Sequence, residues 1–165
     1  MKSSIIRHTM AIVALLMALF HSVAASAADT WSVNPSAYRY DMSLYLDVAF
    51  ATGEKLDYEQ YDVAAFVGDE CRGVAEILSF DGNSCLYLRA RSNRESGESM
   101  SFRYRNRSTG EVKSIEGADF SFSSNARLGY PSSPHVAKIV IYHDVDITAG
   151  EGGTVNTAGG RLAEG

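Results

Sequence analysis

The chain is predicted to be all-β: an antiparallel, immunoglobulin-like β-sandwich of about eight strands, preceded by a signal peptide. Three observations predict it. Apolar and polar residues alternate with period 2 through residues 38–50. Shorter runs of the same kind recur along the chain, separated by polar, Gly-containing turns. No segment of the mature chain shows helical periodicity.

The leader comes first. Lys2 and Arg7 give a positive start, Met10 to Phe20 an apolar stretch, and Ala25-Ser26-Ala27 a small-x-small cleavage point. Cleavage there starts the mature chain at Ala28. A membrane anchor would need about 20 apolar residues, and His21-Ser22 ends the run too early. No cysteine follows the apolar stretch until Cys71, so a lipid anchor at the cleavage point is not on offer. No second long apolar run exists, so nothing spans a membrane after processing.

In the segment 38–50 the even positions are Tyr38, Tyr40, Met42, Leu44, Leu46, Val48 and Phe50, and Asp41, Ser43 and Asp47 lie between them. A strand puts alternate side chains on opposite faces, so this is a half-buried strand. Residues 62–67 form a continuous small apolar run that suits a central strand, and 72–80 continue the sheet after a turn at 68–71. Asp81-Gly82 is a two-residue type I′ hairpin loop, whose two centres both need positive φ. It fixes a register in which Phe80 faces Asn83, Ile77 faces Leu86, Ala75 faces Leu88, Glu76 faces Tyr87 and Val74 faces Arg89.

Residues 85–91 turn Leu86, Leu88 and Ala90 inward, and 99–105 turn Met100, Phe102 and Tyr104 inward. Residues 111–115, 119–122 and 136–142 complete the set. Pro131 and Pro134 mark a connection or an edge. The domains are therefore expected as a signal peptide over 1–27, a sandwich over 28–143, and a Gly-rich tail, or the start of a truncated repeat module, over 144–165.

Four strings then matter together: WSVNPSAY from Trp31, VAAFVGDECRGVA from Val63, GESMSFRYRNRSTGEV from Gly97 and YPSSP from Tyr130. They resemble a β-sandwich module of exported and surface proteins of Bacteroidetes, over Trp31 to about Tyr142. The resemblance implies an extracellular module beside other modules and brings no catalytic residue with it. The tail AGEGGTVN…AEG resembles the first strands of the internalin B-type bacterial repeat.

Composition narrows the function. The chain has 15 basic and 20 acidic residues, and losing Lys2 and Arg7 with the leader takes the formal charge from −5 to −7. That balance argues against a nucleic-acid partner. Two cysteines exclude a disulfide framework or a multi-cysteine zinc site. The hairpin register puts Cys71 about 23 Å along the strand from the residue opposite Cys85, against a Cα limit of about 7 Å, so both are expected free. Asp69 and Glu70 beside Cys71 raise its pKa and disfavour a nucleophile.

Catalytic material is sparse. The mature chain holds only His135 and His143, with no G-x-S-x-G elbow and no H-E-x-x-H helix. The carboxylate pairs Asp57/Glu59 and Asp69/Glu70 sit in polar loops with nothing to raise an acid. Asp57, Glu59 and Asp62 form a weak calcium candidate without a D-x-D-x-D-G loop. No cofactor is implied.

Two surface features remain. With Leu86, Leu88 and Ala90 inward on one strand and Met100, Phe102 and Tyr104 inward on the next, Tyr87, Arg89, Arg91, Arg103 and Arg105 face outward as one hairpin stripe, joined by Arg94 and Arg107. Guanidinium groups there suit an acidic glycan or a partner's carboxylates. Alternatively Glu76, Glu95, Glu98 or Glu111 pair with them and the arginine stems cover the sheet. Tyr45, Tyr58, Tyr61 and Tyr87 offer a sugar platform or an edge cover, and Trp31 is expected to plug the core. The expected function is an exported, non-catalytic binding or interaction module at the cell surface or outside the cell, engaging a glycan or another surface protein. A carbohydrate-binding module is the alternative, and a glycoside hydrolase or other hydrolase accessory domain comes third.

Overall fold

A computed structural model of the chain describes residues 30–145, 147–149, 151, 153–154 and 159–163. The leader 1–27 lies outside the described residues. Among the described residues there are eleven strands and a single 3-10 turn, Pro35–Ala37, whose first free N–H is capped by the side chain of Asn34. No helix among them is long and apolar enough to cross a membrane.

The alternation of 38–50 becomes β1, Tyr40–Phe50, with Met42, Leu44, Leu46 and Val48 buried and their neighbours half-exposed. β5, Asn83–Ser92, pairs with it antiparallel, Leu44 opposite Leu88 and Tyr45 opposite Tyr87. β4, Glu76–Phe80, pairs with β5 through the expected hairpin: Phe80 meets Asn83, Ile77 meets Leu86 and Glu76 meets Tyr87. Asp81 and Gly82 have φ of 48° and 76°, the two positive values that a type I′ turn requires. On the other edge of β1 lie β8, Arg127–Leu128, and then β9, His135–Ile139, both parallel to it. This first sheet is therefore mixed, because the chain returns from the opposite sheet and runs beside β1 in its own direction.

The second sheet is antiparallel, in the order β3 (Glu70–Val74), β2 (Tyr61–Val67), β6 (Ser96–Asn106), β7 (Val112–Ser123). Residues 111–115 and 119–122, expected as two strands, are one strand with an irregularity: Phe102 faces Ile115 whereas Met100 faces Phe120. The run 72–80, expected as one strand, is two. Ala75 donates its N–H to Val63 O at 2.9 Å, and the chain changes sheets there. Ala75 and Val74 accordingly never reach Leu88 and Arg89 in the hairpin ladder.

The core lies between the sheets: Leu44, Leu46, Val48, Leu86, Leu88 and Ile139 from the first, Val63, Met100, Phe102, Ile115 and Phe122 from the second. The apolar burial of these side chains is the main stabilising term. Tyr58, from the loop after β1, closes one end. Its hydroxyl accepts the N–H of Val48 at 3.0 Å and donates to Asp47 at 2.8 Å, and burial pushes its pKa well up. Tyr58→Phe strands a buried N–H, so it should lower stability by about 1–2 kcal/mol in urea unfolding; an unchanged midpoint would show that water replaces the hydroxyl.

The tail begins with a hairpin. β10, Tyr142–Val145, pairs with β11, Gly160–Ala163, across the boundary expected near residue 143. Arg161 lies over the Tyr142 ring, 4.2 Å from its centroid, and reaches Glu116 of β7 at 3.5 Å.

Candidate functional site

β2 is buried on both faces, which is why DVAAFV reads as continuous apolar sequence. Val63 and Ala65 point into the core; Ala64 and Phe66 point the other way and are equally buried. What covers them is the segment before β1 and the arginines of β6. Trp31 meets Phe66 edge-on, ring centroids 5.2 Å apart. Arg103 lies over Phe66 at 4.5 Å and Arg105 over Trp31 at 5.3 Å. Trp31 is thus half-buried on the outer face of the second sheet, outside the core it was expected to plug. A lone tryptophan ahead of the first strand carries no periodicity that could have placed it.

The five arginine and tyrosine positions read from sequence do not form one hairpin stripe. β5 and β6 belong to different sheets, because residues 93–95 carry the chain across the sandwich. Tyr87, Arg89 and Arg91 lie on the outer face of the first sheet; Arg103 and Arg105 lie on that of the second. The alternation is identical whether two strands pair or face each other, so the pattern alone could not separate these arrangements. Trp31 and Ser32 still bring the two groups into one neighbourhood. They line a groove of about 490 Å³ with Arg103 and Arg105, and another of about 400 Å³ with Arg89 and Arg91.

Most of these guanidinium groups have internal partners. Arg89 bonds Asp41 at 2.6 Å, which raises its already high pKa. Arg103 donates to Gly68 O at 2.7 Å and to Asp69 at 3.0 Å. Arg105, only 5% exposed, bonds Asp62, and Arg107 bonds the other oxygen of that carboxylate at 2.8 Å. Burial pushes the Asp62 carboxyl up, but hydrogen bonds and charge from the two arginines outweigh it and hold it below its usual range.

Arg72, which the sequence placed only as a strand residue, organises the rim. Its guanidinium reaches Glu98 at 3.2 Å and Glu70 at 3.1 Å, donates to Arg91 O at 3.3 Å and stacks 5.1 Å over the Tyr38 ring. The buried Ser92 hydroxyl bonds Glu98 at 2.6 Å. The Tyr38 hydroxyl donates to Glu70, and that bond, with Arg72 nearby, holds the Glu70 carboxyl down. Arg91 differs. Among the described residues it has no carboxylate at ion-pairing distance; its buried Nε, like that of Arg72, has no hydrogen-bond partner.

The remaining candidates stay apart. Asp57 accepts the Glu59 N–H at 2.9 Å and the Gln60 amide at 2.7 Å, closing its own turn. Glu59 is exposed and Asp62 is held by two arginines, so the calcium trio does not converge; among the described residues no three metal-ligating side chains cluster. Cys71 sits on β3 and Cys85 on β5, in different sheets, both as free thiols that burial makes weaker acids. Tyr45 and Tyr87 pack together on the outer face of the first sheet, centroids 5.2 Å apart and planes tilted by 43°.

Fold and face together define a β protein of two packed sheets and a further two-stranded pair, whose outer surface carries a guanidinium–aromatic cover around one tryptophan. No family model, curated protein or solved structure matches the chain.

Proposed function

We propose that the chain is an exported, non-catalytic binding or interaction module, engaging its partner through the face around Trp31. The observation that carries this reading is the pair of arginine-lined grooves on either side of Trp31. Guanidinium groups held against aromatic rings are preorganised for carboxylate or other anionic groups. A hydrolase would need an acid held above its usual range or a nucleophile beside a base. Asp62 and Glu70 are held below theirs, and Cys71 is made a weaker acid. The leader and the resemblance to exported Bacteroidetes modules support export.

The test uses the full chain expressed with its leader in a bacterial host. Secreted product should begin at Ala28, and it should bind on arrays of glycans or surface proteins without releasing cleavage products. Product that accumulates in proportion to the protein would overturn the non-catalytic reading; product retained in the cytoplasm with Met1 intact would overturn export. A carbohydrate-binding module is favoured as the second reading by the Tyr45–Tyr87 pair beside Arg89. Its 43° tilt suits a twisted sugar chain better than a flat crystalline surface.

A further inference from the structure

We infer that the groove between Trp31 and Arg91 is a subsite for a uronic-acid glycan, with the sugar ring against the indole and the carboxylate on the guanidinium. This rests on the binding-module reading and takes its carbohydrate branch. In the ladder Arg91 stands opposite Asp41. The Asp41 carboxylate, however, is drawn diagonally to Arg89 at 2.6 Å. One carboxylate thus lies between two neighbouring cations on the same face and pairs with Arg89 alone, so Arg91 is the one left over. A half-buried guanidinium with no carboxylate at ion-pairing distance among the described residues keeps its charge open to an anion from outside.

The space beside it fits such a partner. The groove of about 400 Å³ is lined by Trp31, Glu76, Tyr87, Arg89 and Arg91 among others, within the usual range for small-ligand sites. Glu76 is its only carboxylate, is exposed and makes no ion pair among the described residues. The backbone at Arg91 is held from behind, since its carbonyl accepts from Arg72, itself clamped between Glu98 and Glu70. The ligand is a sugar acid rather than an acidic peptide because the wall is aromatic: Trp31 and Tyr87 both line the groove, and a pyranose packs on such rings. Beyond Trp31 the second groove carries Arg103, whose partner Asp69 has a side chain 98% exposed and is easily displaced. A second carboxylate along the same glycan finds its cation there.

Trp31 is the chain's single tryptophan, so its emission reports the site directly. Titrating the full chain with hexagalacturonate should shift or quench that emission; maltohexaose should not, and 0.5 M NaCl, roughly a 4 Å Debye length, should weaken binding severalfold. Arg91→Met should weaken binding about tenfold or more, and Arg91→Lys less, since it keeps the charge and loses the planar fork. Urea unfolding of both variants verifies the fold, and calorimetry repeats the titration. Unchanged emission at millimolar hexagalacturonate, equal binding by Arg91→Met, or polyglutamate binding as tightly as the glycan would each overturn the inference. A chain that binds other array ligands but not hexagalacturonate sinks the subsite alone; a chain that cleaves its ligand sinks the module reading.

Discussion

Asp62→Ala should lower the stability of the chain by about 3–5 kcal/mol, read as a fall in the urea midpoint at neutral pH. The side chains of Arg105 and Asp62 are 7% and 20% exposed. Removing the carboxylate takes an ion-pair partner from the Arg105 guanidinium, which is buried against Trp31, and Arg107 loses the same partner. The cost of a buried charge deprived of its mate exceeds what the pair contributes when intact. The double variant Asp62→Ala/Arg105→Met should therefore recover most of the loss. A double variant as unstable as Asp62→Ala would show that the carboxylate matters for packing and not for charge.

The pH dependence has a definite sign. The folded Asp62 carboxyl is held below its usual value, so its stabilisation is complete above the ordinary carboxylate range and drains away as pH falls through the folded value. The deficit of Asp62→Ala should therefore be largest at neutral pH and should narrow below about pH 4. A deficit that stays constant down to pH 2 would place the effect elsewhere.

What could be read from sequence was what repeats locally. β1 and the β4–β5 hairpin were legible because strict alternation over eleven residues and one Asp-Gly pair fix face and register together. The exchange of sheets at Ala75 was not, since an alanine between two apolar runs looks the same in a straight strand and at a corner. The assignment of β5 and β6 to opposite sheets failed for a related reason: alternation says which side chains face inward, never which strand lies alongside. β8 has two residues, too few for any period. For the site, the sequence named Arg89, Arg91, Arg103 and Arg105, and it foresaw that carboxylates would pair with such a stripe. It named the wrong carboxylates for most of them, because Asp41, Asp62 and Asp69 come from strands and turns whose neighbours depend on the sheet order. Trp31 and Arg72, which bind the two halves of the face together, gave no local sign of that role.

Gly73→Ala should cost about 3 kcal/mol, for a reason that lies where the two sheets meet. β3 pairs within the second sheet, yet at Gly73 it passes directly against β5 of the first. A Cβ on Gly73 would stand 2.4 Å from Arg89 O and 3.0 Å from the Leu88 side chain. The obstructing atom is backbone, held in the β5–β1 ladder, so it cannot swing aside as a side-chain tip would; relief has to come from parting β3 and β5. That parting costs packing of Leu88, which is fully buried, and it also moves Arg89 and Arg91 relative to Trp31. The substitution should thus lower the unfolding midpoint and alter Trp31 emission in the folded protein. Gly160→Ala is the control: its Cβ meets nothing within 4 Å, and the midpoint should stay within about 0.5 kcal/mol of the parent. If Gly73→Ala unfolds with the parent midpoint and unaltered emission, the seam is looser than its backbone spacing implies. The glycine would then be there for the turn geometry of β3 and not for the contact between sheets.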